Sequence, residues 1–246
     1  MGTKKKLFFI TLMVALLQSC VATRVSSHAN NLPTKSFVQI FHAIDIKSCK
    51  NKNDPTCPKG THYQTGSGMA IDLVPKKMIV LTAGHVCDTQ PSDNIDKYLQ
   101  VIYVLDHNNM KHQAWTINVS FFNDAGSADL CLLWVPTLKV KKVKISKIGP
   151  KIGDELYYIG APLGIYHPPT VPVFKGLYSG KINPSSGMVT FPSAGGSSGG
   201  AVLNKNLKIV GVVFAANRQF HHISLITSHE SLILFLSESI SKIKSQ

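Results

Sequence analysis

Near its C-terminal end the chain reads GGSSGGAV over residues 195–202. Ser198 lies among Gly196, Gly199 and Gly200, in a setting that suits a hydroxyl nucleophile. Glycines adopt backbone angles that other residues avoid. They also let a carbonyl approach bare N–H groups, which stabilise the negative oxygen formed when a hydroxyl attacks it. Alone, such a string also fits a flexible loop. Two further segments supply the groups that a serine needs. LTAGHVC (81–87) delivers His85 from the end of the apolar run Met78–Val80. SADLCLLWV (127–135) opens on Asp129 before a run that reads as a buried strand. Separately, His85 fits a solvated histidine and Asp129 a turn residue or cap. Together His85, Asp129 and Ser198 make a base, its orienting acid and a nucleophile, each at a strand end or in a glycine loop.

The elements that would position them are short strands. The chain has 246 residues, a length common for one all-β unit, with 18 glycines and 13 prolines punctuating brief apolar runs. No fixed-period repeat is evident.

The ordered motifs resemble the trypsin-like serine peptidases of the chymotrypsin fold, and among them the bacterial branch of HtrA (DegP-like) and glutamyl endopeptidase-like enzymes. The matching segments are TGSGMAID (65–72), Thr82-Ala83-Gly84-His85, Asp129-Leu130-Cys131-Leu132-Leu133, GDELYYIGAPLG (153–164), GLYSG (176–180), the Ser198 loop and KIVGVVF (208–214). The likeness spans about residues 36–243. It implies two six-stranded antiparallel β-barrels with a C-terminal helix on the second. The first barrel is expected over 36–137, a linker over 138–150, the second barrel over 151–227 and the helix over 228–243. It implies a serine endopeptidase acting on protein or peptide through His85, Asp129 and Ser198, with Gly196 and Ser198 as oxyanion hole. The side-chain pocket would be formed by Pro192, Ser193, Phe214, Ala215 and Ala216. These carry no acid, which disfavours Arg or Lys at the cut and favours a small or medium apolar side chain. Val213 takes the place where glutamyl-specific relatives carry a histidine. His221 and His222 are read either as pocket neighbours or as exposed turn residues. Animal trypsins place an aspartate before the nucleophile to receive a new N-terminus. Here that residue is Ser197, so no such activation is expected. HtrA enzymes carry C-terminal PDZ modules, and none is expected in a chain that stops at Gln246. Animal enzymes also bond the cysteine after the histidine to a neighbouring strand. Cys87 takes that position, but TGSGMAID offers it no partner. A catalytically inactive binding module, or a surface-binding lipoprotein with a secondary site, is the alternative class.

Residues 1–19 read as a signal peptide, with Lys4–Lys6 before the apolar stretch 7–17, which is short for a membrane span. Leu17-Gln18-Ser19-Cys20 resembles a lipobox, which would lipidate Cys20 and attach the protein to a membrane. By analogy, Val21 points to the outer membrane of a Gram-negative host. Cleavage after Ala22 and plain secretion is the other reading. Residues 20–35 are polar and aperiodic and read as a tether. Of five cysteines, Cys49 and Cys57 flank a polar loop containing Asp54-Pro55 and suit a local disulfide. Cys131 reads as a buried thiol. No C-x-x-C or H-E-x-x-H spacing exists, so neither metal nor cofactor is expected.

Net charge is +13, falling to +10 without the three leader lysines. LKVKKVKISK (138–147) is its densest cluster. It reads as a solvated linker strand or as a contact for anionic lipid, polysaccharide or nucleic acid. No aromatic interleaving accompanies it, so nucleic acid is not expected. No feature sets an oligomeric state. Thr227 and Glu230 have the spacing of a capping box before Leu232, Phe235, Leu236, Ile240 and Ile243, a stripe at helical spacing.

Overall fold

The computed structural model describes residues 31–51, 55–87, 94–122, 127–217, 219–220 and 222–244. Cys20, the signal segment and His221 lie outside them. Among the described residues, twelve strands close into two barrels. The first contains β1 (Phe37–Cys49), β2 (Gly60–Ile71), β3 (Ile79–Thr82), β4 (Ile95–Leu105), β5 (Lys111–Ser120) and β6 (Leu130–Trp134), hydrogen-bonded in the order β1-β2-β3-β6-β5-β4. The second contains β7 (Glu155–Ile159), β8 (Val173–Asn183), β9 (Ser186–Val189), β10 (Ala201–Asn204), β11 (Ile209–Ala216) and β12 (Ser224–Thr227). Its order, β7-β8-β9-β12-β11-β10, repeats that of the first. The repeat lies in topology alone, which is why no sequence period reveals it. All pairings are antiparallel, as the expected double barrel requires.

Strand composition follows burial. Every residue of β3 and the first four of β6 are buried, so both read as unbroken apolar runs. Val38, Ile40, Val80, Val104 and Leu133 help fill the first barrel. In the second, the Tyr158 ring is stacked against both Phe174 and Phe191, at centroid distances of 5.4 and 5.1 Å. Closed barrels of this size are filled by their own side chains.

Three expectations are corrected. Cys131 is no free thiol: it is disulfide-bonded to Cys87, while Cys49 is joined to Cys57. The neighbouring strand β2 offers Cys87 no partner, but β3 also pairs with β6, and Thr82 lies opposite Cys131. The helical turn α1 (Gly84–Cys87) that follows β3 therefore brings Cys87 to β6. Second, the cap of helix α2 (His229–Lys244) is Ser228, whose Oγ accepts the Ser231 N–H at 3.2 Å. Thr227 is still in β12, and its Oγ1 accepts the Val212 N–H at 3.0 Å. Third, α2 is not confined to the second barrel. Its start is held there by Ser228 Oγ donating to Pro184 O (2.7 Å), and its end reaches the first barrel, where Asn118 Nδ2 donates to Ser239 Oγ (2.8 Å) and Lys77 Nζ to Ile243 O (2.9 Å). Leu232, Phe235, Leu236 and Ile243 form its buried stripe, with Ile240 half-buried. No helix among the described residues is long and apolar enough to cross a membrane.

Candidate active site

His85 stands on α1, the turn that ends β3, and Asp129 immediately precedes β6, the strand paired with β3. That pairing sets them side by side. Asp129 Oδ1 accepts the His85 backbone N–H at 2.9 Å, and Oδ2 is hydrogen-bonded to His85 Nδ1. With Nδ1 carrying its proton toward the carboxylate, Nε2 is left as the lone-pair nitrogen. The Asp129 side chain is 7% exposed and that of His85 38%, so the acid is hidden and the base faces solvent. Gly84 permits this approach: a Cβ there would lie 2.6 Å from Asp129 Oδ1 and 2.1 Å from Ser120 O.

Ser198 arrives from the second barrel, in the loop before β10, and β2 joins the two halves. The Ser67 N–H donates to Ser198 O at 2.8 Å. A Cβ on Gly66 would stand 2.5 Å from Val86 Cγ1 and 3.3 Å from Ser198 O, so only a glycine separates the residue after His85 from the serine. Ser67 is fully buried, and its Oγ donates to Gly196 O (2.8 Å) while accepting the Ala161 N–H (2.9 Å). Thr82 Oγ1 donates to Ser67 O at 2.7 Å. Sequence reasoning used this serine only as part of a motif; a small polar residue between two glycines in an otherwise buried run was the available signal.

The loop itself closes by reciprocal bonds. Ala194 N–H donates to Ser197 Oγ (3.0 Å) and Ser197 N–H to Ala194 O (2.9 Å). Gly199 N–H donates to Val213 O and Gly200 N–H to Ser197 O. Among the described residues the N–H groups of Gly196 and Ser198 have no protein acceptor. Gly196 adopts φ +88°, with a Cβ position 2.6 Å from Ala161 O, so the site demands glycine. The loop after β7 supports it further, Leu163 N–H donating to Gly195 O at 2.6 Å.

A cavity of about 530 Å³ opens beside Ser198, lined by Ser193, Ala194, Val213, Phe214, Ala215 and Ala216 among others. Among the described residues its lining carries no acidic or basic side chain, and it includes the Asn217 amide. Pro192 is half-buried and not part of the lining. Phe214 also stacks on Phe122 at 5.7 Å and packs against the first barrel's core. His222 is exposed, lies edge-on to Phe220 and is not part of the lining. Ser193 is buried, 2.7 Å from Ser224 Oγ, and Ser224 donates to Phe191 O at 2.6 Å. A carbonyl only accepts, so the Ser224 proton is committed to it and Ser193 donates to Ser224. The Ser193 oxygen therefore has only lone pairs left for the pocket. Among the described residues no cluster of His, Cys, Asp or Glu could hold a metal.

Residues 66–212 match the family described as the trypsin-like peptidase domain. No curated protein sequence matches the chain significantly. Among solved structures, it is similar to the active form of the Rv3671c protease from M. tuberculosis (19% identity, 86% of each chain covered, TM-score 0.59). It is also similar to a serine endoprotease from Yersinia pestis (18% identity, 87% of this chain and 66% of that one, TM-score 0.60).

Proposed function

Because the chain belongs to the trypsin-like peptidase family, we propose that it is a serine endopeptidase working through Ser198, His85 and Asp129. The observation that carries this reading is the His85–Asp129 pair beside a serine loop with two uncommitted N–H groups. Ser198 Oγ attacks the substrate carbonyl carbon while His85 Nε2 takes its proton. The carbonyl oxygen becomes an oxyanion facing the Gly196 and Ser198 N–H groups. His85 then returns the proton to the amide nitrogen, the C–N bond breaks, and the acyl group stays on Ser198. Water, deprotonated by His85, attacks the acyl carbon and restores Ser198. Asp129 holds the imidazole tautomer and stabilises its charged form.

The pocket supports cleavage after a small or medium apolar residue. Its walls include Val213, Ala215 and Ala216, no cationic side chain is among its described lining residues, and the lone pairs that Ser193 turns to the pocket disfavour a carboxylate. A peptide-library profile should therefore favour Ala, Val or Leu over Glu or Asp before the cut by at least about tenfold. Ser198→Ala is the control, and a serine-directed phosphonate should label wild type but not that variant. Preferred cleavage after Glu would overturn the pocket reading and ally the chain with the glutamyl-specific enzymes; failure of labelling would overturn the peptidase reading.

The serine loop also supports activity without N-terminal insertion. The bonds between Ala194 and Ser197 close it with no buried carboxylate to neutralise. We place the protein outside the cytoplasm, tethered through a lipidated Cys20. The two disulfides support an oxidising compartment. Fatty-acid-analogue labelling should mark wild type and not Cys20→Ser, and both should cleave a short peptide equally. Equal labelling, or a mature N-terminus at Thr23, would favour plain secretion. Activity that appears only after one defined cut would sink the zymogen-free reading.

A further inference from the structure

The linker between the barrels is not a free strand. Val143 N–H donates to Ala70 O and accepts at its carbonyl from Asp72 N–H, both at 2.9 Å, so Val143 pairs with the end of β2. Ile145 pairs beside Ile209, with Ile209 N–H donating to Lys144 O. Pinned on two barrels, the linker keeps Val143 buried and leaves Lys139, Lys141, Lys144 and Lys147 exposed. Next to it a cavity of about 490 Å³ is lined by Lys147, Ile148 and Lys151 and, from the β10–β11 hairpin, Lys205 and Lys208. Its acids are Asp154, which accepts the Lys151 backbone N–H at 2.9 Å, and Glu155, paired with Lys175 at 2.6 Å. None of those four cavity lysines has an ion-pair partner among the described residues.

Apolar knobs interrupt this charge. Ile148 and Ile152 are 74% and 78% exposed, each directly after a lysine. Ile152 Cδ1 lies 3.4 Å from the Cβ position of Gly180, and half-exposed Ile182 follows two residues later on β8. Large apolar side chains raised among cations make this face amphipathic. Amphipathic surfaces of this kind settle at a bilayer boundary, with apolar groups sunk between headgroups and lysines on phosphate.

We propose that this face docks on an anionic lipid bilayer. The chain's path supports that partner. β1 begins with Phe37 opposite Met69, and on the same side of β2 the next positions, Ala70 and Asp72, bond Val143. Thr34–Ser36, directly before β1, therefore enter the barrel next to the basic linker. A lipid anchor N-terminal to β1, as proposed above, would be joined to the barrel at this face. One acyl chain binds only marginally, and a polybasic face is a known kind of second signal. Docking does not depend on Ser198 or on lipidation of Cys20.

In a Cys20→Ser background, which removes any acyl chain from wild type and variants alike, the test uses the exported protein and two vesicle types, phosphatidylcholine alone and phosphatidylcholine with one-third phosphatidylglycerol. Each lysine near an anionic surface contributes about fivefold to partitioning, partly offset here by Asp154. Wild type should partition at least about tenfold better onto the anionic vesicles, and salt should erase the difference. The variant Lys147→Gln/Lys151→Gln/Lys205→Gln/Lys208→Gln should lose that preference while binding neutral vesicles as wild type does. Ile148→Ser/Ile152→Ser should weaken anionic binding several-fold at unchanged charge. Thermal unfolding, not turnover, is the fold control, so the outcome is independent of the peptidase reading. Equal binding of wild type to both vesicle types, a lysine variant that keeps the preference, or capture of soluble heparin with indifference to vesicles would each overturn the proposal.

Discussion

Replacing Ser198 by alanine is expected to lower kcat for a short peptide by about 10⁴–10⁶-fold while leaving the unfolding midpoint within a degree or two of wild type. The Oγ is the bond-forming atom, and nothing in the fold depends on it: the anchoring contact of this residue is its carbonyl, which accepts the Ser67 N–H. His85→Ala should cost about as much, and the double variant little more than either, because a nucleophile and its base act as one unit. Asp129→Asn should be milder or equal, since the carboxylate acts through the imidazole. It carries an additional structural cost, because Oδ1 also holds the His85 backbone N–H. Stopped-flow or endpoint hydrolysis of the best library peptide measures all four. Wild-type turnover by Ser198→Ala would remove the assignment. Absence of turnover in wild type, with Ser198 unlabelled by phosphonate, would leave the inactive binding module as the reading.

How far the sequence carried this site depends on which contacts are local. His85, Asp129 and Ser198 were legible because each sits in a short string whose neighbours must be small or apolar for backbone reasons. Gly84 is squeezed against Asp129 and Ser120, and Gly196 has a positive φ against Ala161. The double barrel was legible through the ordered motifs, each of which ends or begins a strand. What was not legible is contact across the chain. Ser67 reaches Gly196 and Ala161 over long separations, and no local pattern marks a serine as a brace rather than a surface residue. The Cys87 partner lies on the second neighbour of β3, because a strand in a closed barrel has two, and only the first is adjacent in sequence. The helix cap slipped by one residue because Thr227 and Ser228 are both capping types, and only the β12 ladder with β9, which runs to Thr227, decides between them. The Ser193–Ser224–Phe191 relay depends on register between distant segments, so its proton order could not be read at all.

The second large effect is expected from the disulfide that the sequence reading missed. Cys87 stands two residues after His85 and Cys131 two residues after Asp129, so their bond ties the base and its acid together at a second point. Its sequence separation is 44, and closing a loop of that length removes about 4 kcal/mol of unfolded-state freedom in the chain-entropy account. Cys87→Ala/Cys131→Ala should lower the unfolding midpoint by roughly 10 °C for a domain of this size. Turnover should fall as well, because α1 is a single helical turn, held otherwise by packing of Val86, the Asp129 contacts and one bond from Gln64 Nε2 to His85 O. The Cys49–Cys57 bridge gives the contrast. It closes a separation of 8 at the far end of the β1–β2 hairpin, with Cys57 partly exposed, so Cys49→Ala/Cys57→Ala should cost less stability and leave turnover unchanged. Mild reductant should open that bridge first, through half-buried Cys57, whereas Cys87 and Cys131 are 1% and 0% exposed and are reached only when the first barrel opens. Calorimetry and kcat/KM on both double variants, with thiol titration during reduction, measure each step. A Cys87→Ala/Cys131→Ala protein with wild-type midpoint and turnover would show that the β3–β6 pairing alone holds the base to its acid.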